Sequence, residues 1–295
     1  MTTHERDLLA EQFEQNRAHL RAVAYRMLGS MNEAEDAVQE SWFRLERTDE
    51  EAIQNLRAWL TTVVGRVCLD MLRTRRSRHE YSPEDWRPEP IVVSGEGNNP
   101  AEEVELADSL GLALLVVLET LSPVERLAFV LHDVFGVEFD EIATIVGKSP
   151  VAARQLASRA RRRVRADARV PEGDVNEQRQ VVDAFLAASR SGSFEGLVEI
   201  LDPDVVFRSD RGPDGRLTPM VFRGKTAVAS QILAQGSRLA HLARPAIVNG
   251  AAGVVVRTEN QIIGIVGFTV AGGRVVAIDL SSDPDRISSY VERMN

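Results

Sequence analysis

Residues Val137–Arg165 read VEFDEIATIVGKSPVAARQLASRARRRVR, and their pattern is that of two short helices joined by a tight turn. The first is polar at Glu138, Asp140 and Glu141 and apolar at Phe139, Ile142, Ala143 and Val146. Gly147 is placed to stop it, because glycine adopts the left-handed conformation of a helix C-terminus without a Cβ clash. Ser149 can cap the second helix, with Pro150 at its first position. Ala153, Leu156, Ala157, Ala160 and Val164 then recur at helical spacing and can pack inward. The other face carries Arg154, Gln155, Ser158, Arg159, Arg161, Arg162 and Arg165. Six arginines lie between Arg154 and Arg165 with no acid among them, more than a solvated face needs. A helix-turn-helix with a basic second helix is suited to a DNA major groove, where arginines neutralise phosphates and bridge the two acceptors of guanine.

The chain has 295 residues and a net charge of −9. That length accommodates two or three domains. The acidic balance does not exclude nucleic acid, because the arginines cluster in two helical stretches and a local basic face is what DNA meets. Cys68, the single cysteine, allows no intrachain disulfide, fits a reducing compartment and reads as a buried thiol between Val67 and Leu69. The N-terminus lacks a signal-peptide core, and the apolar patch Leu110–Leu118 is too short to span a membrane. A soluble, cytoplasmic protein is expected.

The first block is helical. Leu20, Val23, Ala24, Met27 and Leu28 form an apolar stripe that ends near Gly29. Asn32 is the expected cap of the next helix, whose first turn holds Glu33, Glu35 and Asp36. Its inner stripe is Ala34, Val38, Trp42 and Leu45, and its outer face shows Glu35, Asp36, Gln39 and Glu40. Asn55–Arg78 predicts a longer helix with Leu56, Trp59, Leu60, Val63, Val67 and Met71 inward. It ends on Arg73, Arg75, Arg76 and Arg78, more charge than a helix C-terminus needs, which suits phosphate contact.

The runs EAEDAVQESWFRL (Glu33–Leu45) and NLRAWLTTVVGRVCLDMLR resemble region 2 of bacterial sigma factors of the extracytoplasmic-function group. The resemblance implies that Asp36, Gln39 and Glu40 face core RNA polymerase and that Arg57, Arg66, Arg73 and Arg76 contact promoter DNA at the minus-ten element. The loop from Arg47 to Gln54, acidic at Asp49, Glu50 and Glu51, supplies no named base reader.

Periodicity disappears between Glu80 and Pro100, where four prolines, Gly95, Gly97 and the pair Asn98–Asn99 mark an extended connector. Within it, DWRPEPIVV (Asp85–Val93) resembles a Trp-x-Pro-Glu-Pro signature between the two sigma domains of one branch of the family. The resemblance implies a connector running near the polymerase active centre. Ala101–Leu121 returns to helix, and Ser122 with Glu125 has the spacing of a capping box. His132 and Asp133 have no second histidine nearby and make a poor metal or acid–base site. Leu121–Arg165 resembles sigma region 4, which implies that Ser149, Arg154, Ser158, Arg159 and Arg162 face the minus-thirty-five element.

Beyond VPEGD the character changes. Helices around Val181–Ala188 and ending at Leu201, a strand through DPDVVFRSD, and a helix over Thr226–Leu239 come first. Strands follow near Ala246–Val248, Gly253–Thr258, Ile262–Ala271 and Arg274–Leu280, with Gly272–Gly273 as a hairpin turn. Helices followed by a meander predict an α+β domain with a curved antiparallel sheet. This resembles the SnoaL-like branch of the cone-shaped NTF2-like fold. SDPDRI (Ser282–Ile287) resembles the terminal Asn-Pro-Asp-Lys-Leu motif of a sigma subgroup with such an extension. That assigns a regulatory role to Asp283, Pro284, Asp285 and Arg286. RSDRGPDGRLTP (Arg208–Pro219) stands where the subgroup has a glycine-rich loop, and is longer and arginine-bearing here. Some members of the wider fold are enzymes, for which the acid–base candidates are Asp210, His241 and Asp279.

The expected organisation is multidomain. Two all-α sigma domains (1–78 and 106–169) are joined by a linker at 79–105 and followed by an α+β regulatory domain at 175–290. The expected function is promoter-directed initiation by core RNA polymerase, regulated in cis through contact between the C-terminal and sigma domains. No metal, cofactor or catalysis is expected, and an unidentified small ligand stays open as a partner. The residues alone also admit a helix-turn-helix repressor or activator working without polymerase, or a DNA-binding protein fused to an NTF2-like enzyme.

Overall fold

The computed structural model describes residues 3–48, 53–78, 88–93, 112–167, 172–210, 220–259, 261–283 and 287. The chain forms two compact units, one of Met1–Pro88 with Val117–Asp167 and the other of Glu89–Val116 with Ala168–Asn295.

In the first unit, α1 (Thr3–Leu28), α2 (Met31–Leu45) and α3 (Leu56–Arg78) pack on one another. Gly29, at φ +69°, ends α1. Ser30, not Asn32, caps α2: its Oγ accepts from the Glu33 N–H at 3.5 Å. The helix starts two residues earlier than expected, and its first residue, Met31, is buried. Leu20, Val23 and Met27 meet Ala34, Val38 and Leu45 in the core. On α3 the deepest positions are Leu60, Val64 and Cys68, whereas Trp59, Val63 and Met71 are only half-buried. Burial pushes the Cys68 thiol well above its ordinary range, which leaves it un-ionised and unreactive.

After α4 (Leu112–Glu119), α5 (Pro123–Phe129) begins in the expected capping box, with Ser122 Oγ and the Glu125 side chain bonding reciprocally. It runs on through a π-helical turn, Val130–Val134. Next come α6 (Phe139–Val146), stopped by Gly147 at φ +67°, and α7 (Pro150–Asp167), whose first turn donates the Ala152 N–H to Ser149 Oγ at 3.3 Å. Of these, α5 and α6 lie directly on α3. A Cβ at Gly65 would stand 3.2 Å from Leu131 Cδ1 and 3.5 Å from Leu127 Cδ1, so glycine lets the helices close on one another.

The second unit is an α+β domain. Its helices are α8 (Val175–Ser191), α9 (Phe194–Ile200), α10 (Lys225–Gln231) and α11 (Ser237–Ala240). The strands are β1 (Val92–Val93), β2 (Leu201–Ser209), β3 (Met220–Arg223), β4 (Ala243–Val248), β5 (Ala251–Arg257), β6 (Ile262–Ala271) and β7 (Arg274–Ser281). Their order is β1-β4-β5-β6-β7-β2-β3. The meander β4–β7 is antiparallel as expected, and Gly272 and Gly273 turn its last hairpin with positive φ. The β2–β7 pair is parallel, so the sheet is mixed. Between α10 and α11 the expected continuous helix passes through a π-helical turn, Ile232–Gly236.

One sheet face packs under α8, with Phe185 edge-on to Phe268 at 5.2 Å. The other face was not legible as a core. There Val92, from the connector, is buried with Val248, Val255 and Ile265. The connector is therefore a strand of this sheet: Val92 pairs with Val248 and Val93 with Ile247. Asn249 secures the join, its Oδ1 accepting from the Ile91 N–H (3.1 Å) and its own N–H donating to the Ile91 carbonyl (2.7 Å).

Candidate functional site

Helix α7 sorts its arginines by angle. Val151, Arg154, Gln155, Ser158, Arg159 and Arg162 form an exposed stripe, with Ser149 exposed just before the helix. The Arg154 guanidinium lies 5.2 Å from the centre of the Phe139 ring, a cation–π contact that orients it from α6. Arg161, expected on the same face, instead pairs with Asp133 at 2.6 Å. Arg163 pairs with Glu125 at 3.3 Å. Burial opposes charge on Glu125, but hydrogen bonds from Ser122 and the charges of Arg163 and Arg159 outweigh it and hold the carboxyl below the usual range. His132 stacks on Phe139 and bonds the Val137 carbonyl, so neither it nor Asp133 is left for acid–base work.

On α3, Arg73 and Arg76 are exposed, while Arg75 turns inward to Glu33. Arg57 reaches His19 Nδ1 at 3.0 Å. Burial, then the charges of Arg57 and Arg26, lowers the His19 pKa to about 4. Arg66 reaches the Thr144 carbonyl on α6 at 3.4 Å. Arg78 has its side chain outside the described atoms.

Asp36, Gln39 and Glu40 lie exposed along α2 as expected, with Glu40 held by Arg44 at 3.0 Å. Phe43 is exposed on the same turns, three residues beyond Glu40. Sequence reading missed it because it lay next to the stripe residue Trp42, but its spacing from Asp36 and Glu40 places it on their face. Arg126 was missed too. It is buried, donates to the Met27 carbonyl on α1 (2.8 Å) and the Leu118 carbonyl (2.9 Å), and pairs with Glu119.

In the second unit, Asp283 is buried and its carbonyl accepts from the Ile287 N–H. Pro284, Asp285 and Arg286, and most of the loop Arg208–Pro219, lie outside the described residues. A cavity of about 270 Å³ opens between the sheet and the helices. Phe185, Phe207, Leu239, Val266 and Phe268 are among its apolar walls, and Ser189, Ser209, Gln231, Gln235 and Ser282 are its polar lining. The three acid–base candidates are elsewhere. Asp210 accepts from Ser281 Oγ and the Ser282 N–H and so ties the ends of β2 and β7 together. Asp279 alternates with the cavity-lining Ile278 and Leu280, faces the opposite side, and pairs with Arg208 at 2.9 Å. His241 is exposed beyond α11.

Residues 12–78 match the Sigma-70 region 2 family and residues 111–164 the Sigma-70, region 4 family. The chain is 38% identical to the ECF RNA polymerase sigma factor SigJ of Mycobacterium tuberculosis, over 94% of this chain and 92% of that one. It is 32% identical to the probable ECF RNA polymerase sigma factor SigI of the same species, over 95% of each. The crystal structure of M. tuberculosis SigJ superposes with a TM-score of 0.76 at 36% identity, covering 95% of this chain and 98% of that one. Both sigma modules, in order and joined to an α+β domain shared along the length of these relatives, make this chain a member of the extracytoplasmic-function RNA polymerase sigma factors.

Proposed function

We propose that this sigma factor is kept in a closed form by its own C-terminal domain, and that releasing the connector raises transcription. The observation that carries this reading is the pairing of β1 with β4. The segment joining the two promoter-reading modules is committed to the regulatory sheet. The packing of α3 on α5 and α6 supports it. Promoter elements at minus ten and minus thirty-five lie about 85 Å apart at roughly 3.4 Å per base pair. Modules in van der Waals contact at Gly65 cannot read both at once.

In the open form, Ser149, Arg154, Ser158, Arg159 and Arg162 meet the minus-thirty-five element. Arg57, Arg66, Arg73 and Arg76 meet DNA near minus ten. In the closed form Arg57 is engaged by His19 and Arg66 by Thr144, and Arg73 lies 3.6 Å from Asp70. Asp36, Gln39 and Glu40 dock on core polymerase, with Phe43 as an aromatic anchor among them. Their exposure in the closed form supports polymerase binding before opening. The Asp283–Arg286 motif follows β7 and acts with the cavity as the regulatory end of the domain. The placement of Asp210, His241 and Asp279 away from the cavity supports a regulator that does no chemistry, working in the cytoplasm with polymerase.

Energy transfer between dyes at the exposed Asp70 and Lys148 tests the opening. The free chain should give high transfer, and the complex with core polymerase and promoter should lose it. High transfer in the promoter complex would defeat the reading.

A further inference from the structure

We propose that the cavity of the C-terminal domain is a receptor site for an uncharged, mainly apolar small molecule, whose polar group is held by the amides of Gln231 and Gln235. Among the described residues the walls are mainly aliphatic and aromatic, and no charged side chain lines the space. A charged head group would lose its hydration there without a counter-charge. The three lining hydroxyls donate within the fold, Ser189 to the Phe185 carbonyl and Ser209 and Ser282 to the Asp210 carbonyl, and so face a ligand as acceptors, whereas a glutamine amide carries both donors and an acceptor. At about 270 Å³ the space falls just under the range of about 300–1,000 Å³ typical of drug-sized ligands. Two features keep it open. Gly264 lines it, and a Cβ there would stand 3.3 Å from Leu280 Cδ1. The π-helical turn Ile232–Gly236, a distortion frequent at functional sites, contributes Ile232, Gln235 and Gly236 to the wall.

The site's existence does not depend on the closed-form reading, because binding is measured without transcription. Calorimetric titration of the full chain with 1-octanol, octanoate and octylammonium is the test. Octanol should saturate one site at least tenfold more tightly than either charged analogue, and Val266→Trp, which fills the space, should weaken it at least tenfold. No saturable octanol binding, equal binding of a charged analogue, or undiminished binding by the folded Val266→Trp chain would overturn the proposal. The comparison of head groups requires no substitution, so it stands even if that variant fails to fold.

A separate observation concerns specificity. Val151 is 61% exposed at the head of α7, in line with Arg154, Gln155 and Ser158. Recognition helices reach base edges with their N-terminal residues, and the apolar feature of the major groove is the thymine methyl. We infer that Val151 reads a thymine methyl in the minus-thirty-five element, flanked by arginines that complement the phosphates; this rests on α7 entering the groove. The test replaces each thymine in turn by uracil in a site selected by the holoenzyme from random sequence. At one position uracil should cost about threefold to tenfold in affinity for the unmodified chain and nothing for Val151→Ala. A flat scan, or a dependence that survives Val151→Ala, would overturn the inference. Failure of the groove reading itself would appear separately, as Arg159→Ala without effect on any sequence.

Discussion

Helices α3 and α7 both end in runs of arginine, yet the two runs are disposed differently. On α7 the arginines divide by angle: Arg161 and Arg163 are paired to acids of α5 and the turn after it, while Arg154, Arg159 and Arg162 point to solvent. On α3, Arg75 goes inward, Arg57 and Arg66 are held by neighbours in the same unit, and among the described side chains Arg73 and Arg76 are exposed near the end, Arg73 lying 3.6 Å from Asp70 on the same helix. Charge density in a sequence marks where DNA contact is affordable. The angular position of each guanidinium decides whether it is left to solvent, as the proposed DNA contact needs, or pairs with a neighbour in the unit.

The comparison can be broken first at Arg126, an arginine wholly given to structure. Arg126→Ala should destabilise the first unit by about 3–5 kcal/mol, since it removes the buried partner of a largely enclosed Glu119 and of two carbonyls. Chemical denaturation measures this. A loss under 1 kcal/mol would make the strut dispensable. Next in size, Arg159→Ala or Arg162→Ala should weaken minus-thirty-five binding by about 1–3 kcal/mol if the residue bonds a base, with relaxed specificity at one position. Arg163→Ala should leave specificity unchanged, because its guanidinium is turned to Glu125. Equal losses from Arg159 and Arg163 would erase the angular sorting.

On α3, Arg73→Ala and Arg76→Ala should each weaken holoenzyme binding to all promoters alike and lower the salt slope by about 1, the signature of a phosphate contact. A change of preferred base would reassign them. The smallest effect concerns His19, which faces Arg57, Arg26, Thr61 and the Phe135 ring. Its folded pKa of about 4 lies below the ordinary 6.5, so it is neutral in the native chain. The unfolded chain binds the proton first as pH falls, and this contribution to stability is lost progressively from about 6.5 down to 4. Melting curves of His19→Gln should fall less steeply across that window than those of the unmodified chain, and parallel curves would show that the ring is not buried neutral.

Much of this was readable from residue order. Gly147, Ser149 and Pro150 announce the helix-turn-helix through backbone geometry that few other residues satisfy. The Ser122–Glu125 box and the Gly272–Gly273 turn are similarly local. Asp36, Gln39 and Glu40 were legible because one helical face repeats every three or four residues. The connector strand was not, because two valines after a run of prolines have no periodicity, and their partners Ile247 and Val248 lie more than 150 residues away. Arg126 was hidden for a similar reason: two of its acceptors are backbone carbonyls, one of them on α1, which no side-chain pattern reports. The outward turn of Asp279 became visible only once strand pairing showed which of its neighbours face the cavity.

The most direct test of the closed form is promoter-directed transcription by core polymerase with the full chain, unmodified and as Val92→Asp. That substitution puts a charge among Val248, Val255 and Ile265 and should release β1 without touching the sigma modules. Promoter-specific transcript is expected from both, with Val92→Asp giving at least threefold more at equal polymerase occupancy. Equal output from the two chains, with loss of β1 pairing verified by hydrogen exchange, would contradict control through the connector.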